Sequence, residues 1–338
     1  MTFQAKKNRV LTGDRPTGAL HIGHYFGTLA NRVRLQNEGF ETFVVIADYQ
    51  VLTDRDSAGQ IASNVREIIL YYLAAGLDPF GENTVIFNHS AIPELNQLLL
   101  PFLTLVSVPE LERNPTVKEE IKAAGLNIIN GAMLIYPVHQ AADILFCKGN
   151  LVPVGKDQLP HLELSRKIAR RFNEKYKNIF PEPEALLTET PTVLGLDGSQ
   201  KMSKSRNNAI FLSATQDETV KLIKSAKTDT QRQITYEPET RPEVANLLRL
   251  ISLCTNQTPI QIADQIGDQG AGKLKALLSD SLNAYLAPMR ARRLELAQDR
   301  DLVSKVLGVG NQRAREIAIK TLDEVRAAMG MVYVSPQS

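Results

Sequence analysis

Residues 9–47 read RVLTGDRPTGALHIGHYFGTLANRVRLQNEGFETFVVIA, and the succession of patterns in this stretch decides the fold. Residues 9–12 form a short apolar run that predicts a strand, and the turn Gly13-Asp14-Arg15-Pro16-Thr17-Gly18 follows. A helix is expected from near Gly23 to about Glu38, and residues 42–47 (TFVVIA) then form an unbroken apolar run ending at Asp48. A strand with no polar alternation is buried on both faces, which is the habit of parallel sheets. Farther on, Ile61, Val65, Ile68, Ile69 and Leu73 recur at helical spacing, and residues 84–87 (TVIF) read as a third strand. The β-turn-α-β-α-β order predicts an α/β fold, a doubly wound parallel sheet of Rossmann-like type.

Residues 91–149 are mainly helical in pattern and include GAMLIYPVHQAADILFC. Residues 151–154 predict a further strand, and 158–176 a further helix. The segment 188–207 is loop-rich, with Pro191, Gly195 and Gly198. Beyond it the chain reads as helices only. Leu248, Ile251 and Leu253 mark one; Leu274, Leu277, Leu278 and Leu282 mark the next; the last runs over 313–329. The expected organisation is a catalytic domain over 1–210, with a helical insertion at about 91–149, followed by an all-helical region over 211–338. No internal repeat or low-complexity segment interrupts it.

Composition narrows the class without choosing a partner. The 338 residues are 43% hydrophobic, enough for a sizeable core in two or three compact units. Lys+Arg 39 against Asp+Glu 37 gives a net charge of +2, which neither points to a nucleic acid nor excludes a local basic face. Cys147 and Cys254 are the only cysteines and lack metal-ligand spacing, so neither a disulfide framework nor a zinc site is expected. Lys6 and Lys7 are not followed by an apolar signal region, and no run approaches the ~20 apolar residues of a membrane span. A cytoplasmic protein without a membrane partner is expected.

Two short segments carry chemistry. The first is Thr17-Gly18-Ala19-Leu20-His21-Ile22-Gly23-His24, which joins a predicted strand to a helix. Such a turn aims backbone N–H groups and a positive dipole end at its ligand, and favours anions. Gly23 admits a ligand close to the backbone, and His21 and His24 can donate to phosphate oxygens from one side. Alone, the pair equally fits two surface histidines in a capping turn. The second is Lys201-Met202-Ser203-Lys204-Ser205, within a glycine-flanked loop. Two lysines three residues apart can follow a triphosphate, being mobile point charges, although a solvated charge cluster has the same appearance.

Together and in this order, HIGH and KMSKS match the two signatures of the class I aminoacyl-tRNA synthetases. The wording around them resembles the tryptophanyl-tRNA synthetase family. It includes GDRPTG before the histidines, ELERNPTVK at 110–118, YPVHQAADI at 136–144 and VPVGKDQ at 152–158. These blocks span residues 9–205, and the helical remainder fits that family's tail. The resemblance implies a tryptophan–tRNA ligase activity. The tryptophan carboxylate attacks the α-phosphate of ATP, giving tryptophanyl-adenylate and pyrophosphate, and a ribose hydroxyl of tRNA(Trp) then takes the amino acid. L-tryptophan, ATP, tRNA(Trp) and a second copy of the chain in a homodimer are the implied partners. Mg²⁺ is carried by the nucleotide, with no metal ligand from the protein.

The resemblance also implies roles. His21 and His24 serve the phosphate oxygens of the pentacoordinate state, while Lys201 and Lys204 neutralise departing pyrophosphate. Arg15, Pro16, Thr17 and Gly23 belong with ATP, as do Met202, Ser203 and Ser205. Gly155, Lys156 and Asp157 meet adenosine, and Val193 lies against adenine. Asp143 sits in an apolar helix, where a bare carboxylate costs several kcal/mol. On its own it predicts an arginine or helix-cap partner; in the family it accepts the indole N–H. Ile144, Val152 and Val154 wall the indole, Tyr136 and Gln158 hold the amino group, and Gly13, Gln50 and Gln140 complete the amino-acid site. Many family members have Gln at Arg15, His at Gln50 and Glu at Lys156, and a commoner Asp-Pro-Asn where this chain has Arg206-Asn207-Asn208. For tRNA, the candidates are the run Arg166, Lys167, Arg170, Arg171, Lys175 and Lys177, and the cluster Arg290, Arg292 and Arg293.

Overall fold

The computed structural model describes residues 8–53, 58–124, 130–155, 159–187, 193–198, 200–204 and 206–333. β1 (Arg9–Asp14) leads into α1 (Ile22–His24), a π-helical turn over Tyr25–Leu29, and α2 (Ala30–Asn37). β2 (Glu41–Ile46), α3 (Ile61–Ala75) and β3 (Thr84–Asn88) complete the first half of the sheet. The predicted helical stretch is α4 (Pro93–Gln97), α5 (Leu99–Leu103), α6 (Val108–Glu112), α7 (Pro115–Ala124) and α8 (Gly131–Leu145). β4 (Leu151–Val154), α9 (Leu159–Lys175) and β5 (Glu184–Leu187) follow. The remaining elements are helical: α10 (Gln216–Lys224), α11 (Pro242–Cys254), α12 (Pro259–Ile266), α13 (Gly270–Leu296) and α14 (Leu302–Ala328).

The five strands are parallel in the order β3-β2-β1-β4-β5. The apolar run of β2 is divided by the strand's two-residue period. Val44 and Ile46 join one core with α3 and the helices α11–α13, whereas Phe43 and Val45 join another with α8, α9 and α14. Strand order reverses between β1 and β4, and there the pairing consists of one register pair, Val10↔Leu151. Beyond it the carboxyl ends of the two strands separate, which is where ligands bind in open parallel sheets.

Three elements differ from the sequence expectation. β5 was not anticipated. The helix expected over 23–38 contains the π turn, whose extra residue advances the phase of everything after it by about 100° around the axis. The last helix begins at Leu302 instead of about 313. Gly308 and Gly310 make that stretch look like a loop, but Gly310 is a packing residue. A Cβ there would lie 1.8 Å from the Ile86 carbonyl oxygen, so only glycine lets α14 settle onto β3. Next to it, Asn311 Oδ1 accepts from the Asn88 N–H at 3.1 Å and Asn311 Nδ2 donates to Asn88 Oδ1 at 3.0 Å. No helix among the described residues is long and apolar enough to cross a membrane. Cys147 and Cys254 are free thiols.

Candidate active site

A cavity of about 1010 Å³ opens where β1 and β4 part. Gly13, Asp14 and Arg15 come from the end of β1, and Val152, Pro153, Val154 and Gly155 from β4 and its exit. The helix mouth contributes His21, Gly23 and His24. One stripe of α8 supplies Tyr136, Gln140, Asp143 and Ile144, at the i, i+4, i+7 and i+8 positions of a single helical face. Gln50, Val193, Lys201 and Met202 close the remaining sides. Thus most of the predicted residues converge on one space. Pro16, Thr17, Ser203 and Lys204 stand at its margin instead of in its wall. Lys156, Asp157, Gln158 and Ser205 lie outside the described residues.

At the helix mouth, the two histidines are organised by each other. The His21 N–H donates to His24 Nδ1 at 3.1 Å, and the ring centroids are 3.7 Å apart. Accepting that bond places the proton of a neutral His24 ring on Nε2. The Ile22 N–H is also taken, by the Ile210 carbonyl at 2.9 Å, so less of the helix end is open to an anion than the sequence suggests. His21 Nδ1 is buried and has no hydrogen-bond partner. Burial, then the charges of His24, Lys204 and Lys201, depress the His21 pKa to about 3. Burial also lowers that of His24, against the opposing pull of Asp14 and with help from Lys204, Arg32 and Lys201. Both lysines therefore act on both imidazoles across the loop that separates them in sequence.

This has a consequence for stability. A histidine whose folded pKa lies below the unfolded value of about 6.5 opposes protonation only in the folded state. Its contribution is complete above that value and is lost as pH falls. In a phosphate-free buffer, the apparent urea midpoint should drop between pH 7.5 and pH 5. His21→Gln, neutral throughout, should flatten that drop. An unchanged pH slope in the variant would place the titration elsewhere.

The lysine loop is built as a short hairpin-like return. Leu194 and Lys201 form an antiparallel bridge, and the Met202 N–H donates to the Val193 carbonyl at 3.2 Å. Buried Asn208, part of the departure from the commoner pattern, accepts from the Ser203 N–H at 2.8 Å and donates to Asp197 at 3.0 Å. Lys204 Nζ donates to the Thr17 carbonyl at 3.1 Å, directly over the histidine-bearing turn. Gly18 has φ +116°, a left-handed backbone that favours glycine; a Cβ on it would lie 2.8 Å from that Nζ, so any side chain there would push the flexible lysine tip aside.

The sequence reading missed Arg32 and His161 in the wall and His89 behind it. Arg32 is 1% exposed, and all five of its N–H donors are placed. Nε reaches Thr12 Oγ1 at 3.0 Å; Nη1 reaches Asp14 Oδ2 at 2.5 Å and the Tyr72 hydroxyl at 3.1 Å. Nη2 reaches the Gly13 carbonyl at 3.0 Å and Asp14 Oδ1 at 3.1 Å. Burial would raise the Asp14 pKa, but Arg32 and the Tyr72 hydroxyl outweigh it and bring it to about 2. Asp143 is 2% exposed, and its partner is neither an arginine nor a cap: His89 Nδ1 lies 3.2 Å from Oδ1. His161 was missed too. Its Nε2 is 3.2 Å from the Tyr136 hydroxyl, and its Nδ1 is 3.4 Å from Asn114 Nδ2. His89 and His161 each adjoin the exit of a parallel strand, β3 and β4, and that position was the available signal.

The basic clusters are partly spent inside the molecule. Arg170 pairs with Glu182 at 2.6 Å, Arg171 with Glu110 at 2.7 Å and Arg166 with Glu163 at 3.7 Å. Arg290 donates to Asn283 and Thr219, and Arg293 pairs with Glu67 over the ring of Tyr71. Arg292 remains exposed.

Comparison with known proteins bears on this geometry. Residues 4–287 match the family described as tRNA synthetases class I (W and Y). The chain is 43% identical over 329 residues to the tryptophan–tRNA ligase of Treponema pallidum, covering 96% of this chain and 97% of that one. It is 45% identical over 337 residues to the tryptophan–tRNA ligase of Streptococcus pyogenes, covering 96% and 98%. In three dimensions it is similar to tryptophanyl-tRNA synthetase from Campylobacter jejuni, crystallised with ADP and tryptophan. The TM-score is 0.83 at 31% identity, over 95% of this chain and 99% of that one.

Proposed function

The chain belongs to the class I tRNA synthetases that comprise the tryptophan and tyrosine enzymes, and from that premise we propose that it is a tryptophan–tRNA ligase. The observation that carries the proposal is the make-up of the switch-point cavity. His21, His24 and Lys201, from segments far apart in sequence, line one end with Lys204 at its margin, and a buried carboxylate on an apolar helix lies in the other.

The chemistry follows from those two ends. ATP enters with its phosphates between the helix mouth and the lysine loop, and tryptophan with its indole against α8. In-line attack of the amino-acid carboxylate on the α-phosphate breaks the bond to pyrophosphate, and no enzyme nucleophile is needed. The rate gain comes from holding both reactants together and from charges placed where charge develops. His24 donates through Nε2–H, since Nδ1 is committed to the His21 N–H. Lys201 and Lys204 take up the charge of the leaving pyrophosphate. The acidic residues in the described wall are Asp14 and Asp143; Arg32 and Tyr72 occupy the first, and His89 holds one oxygen of the second. That supports Mg²⁺ arriving as part of the nucleotide. Transfer to the ribose of tRNA(Trp) completes the cycle. The helices beyond residue 210, Arg292 among their exposed cations, are proposed to meet the tRNA in a dimer of this chain.

Pyrophosphate exchange into ATP tests the reading. Exchange should depend on tryptophan and stay at background with tyrosine or with no amino acid. Exchange driven by tyrosine alone, or absent under all three conditions, would overturn it.

A further inference from the structure

We infer that His89 is a positioning residue for amino-acid selection: its ring N–H holds one oxygen of Asp143 and leaves the other facing the cavity as an acceptor. This rests on the proposed reading of Asp143 as partner of the indole N–H.

His89 follows β3 directly and is fully buried. The Tyr49 backbone N–H donates to its Nε2 at 2.8 Å. Asp48 Oδ1 also lies 3.2 Å from that nitrogen, but an amide N–H can only donate, so Nε2 accepts from Tyr49 and the ring proton is on Nδ1, which is hydrogen-bonded to Asp143 Oδ1 at 3.2 Å. The flanking backbone is pinned. Asp48 accepts from the Ser90 N–H at 3.1 Å, from the Ser90 hydroxyl, and from Asn88 Nδ2 at 3.0 Å. The ring is clamped between Tyr49, stacked at 5.5 Å, and His139, edge-on at 4.7 Å.

The same tautomer disfavours another reading of this cluster. His89, His139 and Asp143 offer ligand atoms within 4.8 Å of one another, a spacing suited to a metal ion. A metal would need the Nδ1 lone pair and would drive the proton to Nε2, against the Tyr49 N–H. The arrangement is a donor chain running from backbone to imidazole to carboxylate.

The two aspartates of the cavity wall, Asp14 partly exposed and Asp143 buried, are held differently. A guanidinium takes both oxygens of Asp14 and finishes it as a structural group. An imidazole takes one oxygen of Asp143, whose Oδ2 has no hydrogen-bond partner among the described residues although the side chain lines the cavity. A carboxylate held in this way rejects a ligand lacking the matching N–H, because the acceptor would then be buried bare.

The test compares exchange with tryptophan and with its benzothiophene isostere, in which sulfur replaces the N–H, in the full-length protein. His89→Leu should raise the tryptophan KM by about tenfold or more, leave the ATP KM within about twofold, and shrink the preference over the isostere by about tenfold or more. His89→Asn, which can set an amide N–H near the Nδ1 position, should recover part of each and serves alone if the leucine variant does not fold. A tryptophan KM and preference within about twofold of the parent in both variants would overturn the inference, as would a joint rise in both KM values. Asp143→Asn separates the two levels. If it too leaves the preference intact, the reading of Asp143 fails; if it abolishes the preference while the His89 variants keep it, His89 alone is misassigned.

Discussion

Lys204→Ala should slow tryptophan-dependent pyrophosphate exchange by about 10²–10³-fold in kcat, the scale of losing one preorganised charge from a phosphoryl-transfer site. The tryptophan KM should move by less than about threefold. The asymmetry follows from position. Lys204 Nζ lies against the Thr17 carbonyl, at the margin of the cavity and away from the Asp143 face of α8. A carbonyl oxygen is a weak partner for an ammonium group, and a triphosphate is a strong one. Exchange of the first for the second stabilises the state in which negative charge collects on the leaving group. Lys204 also depresses both histidine pKa values, so the variant's acid limb of activity should move to higher pH. Steady-state exchange at several pH values measures all three quantities. Equal losses in kcat and in tryptophan affinity would make the lysine a structural strut.

The legible parts of this molecule are those where one signal had one cause. The run TFVVIA reads as a doubly buried strand because both faces of β2 meet apolar layers, and that is where Phe43 and Val44 point. α8 is legible for the same reason, and its polar members Tyr136, Gln140 and Asp143 could be seen as a stripe. β5 was not readable, because Glu184 and Leu187 are exposed at a sheet edge and the strand has no burial period. The start of α14 was hidden by glycines whose reason lies on another element. His89 shows no local anomaly; only its place after β3 and its distant partners give it a role. Arg32 drew no reading of its own within the expected helix. Its three-residue spacing from buried Leu29 and Leu35 marked it as inward-facing, but the carboxylate that explains it belongs to a turn read for its ligand contacts.

Arg32 is therefore the position where a single change should do most damage to the fold. Arg32→Met keeps much of the volume but removes five donors, leaving the largely desolvated Asp14 carboxylate with the Tyr72 hydroxyl as its side-chain partner. Breaking a buried pair from one side costs about 3–5 kcal/mol. Arg32→Lys should recover little, since one ammonium cannot span Thr12, Gly13, Tyr72 and both Asp14 oxygens. The pH dependence identifies the cause. In the parent, the folded pKa of Asp14 is depressed to about 2, so its contribution is present above the unfolded value of about 3.9 and disappears as pH falls through 2. Without Arg32, burial, the largest influence on Asp14, is opposed only by the Tyr72 hydroxyl and His24 and raises that pKa, which reverses the sign: the carboxylate now destabilises as pH rises through its unfolded value. The deficit of Arg32→Met relative to the parent, read from urea midpoints at matched pH, should be largest near neutrality and shrink towards pH 4, while groups common to both chains cancel. Adding Asp14→Asn should restore part of the loss at pH 7, because it removes the stranded charge. A deficit independent of pH, or a double variant whose loss equals the sum of the two single losses, would mean that the guanidinium stabilises by packing alone.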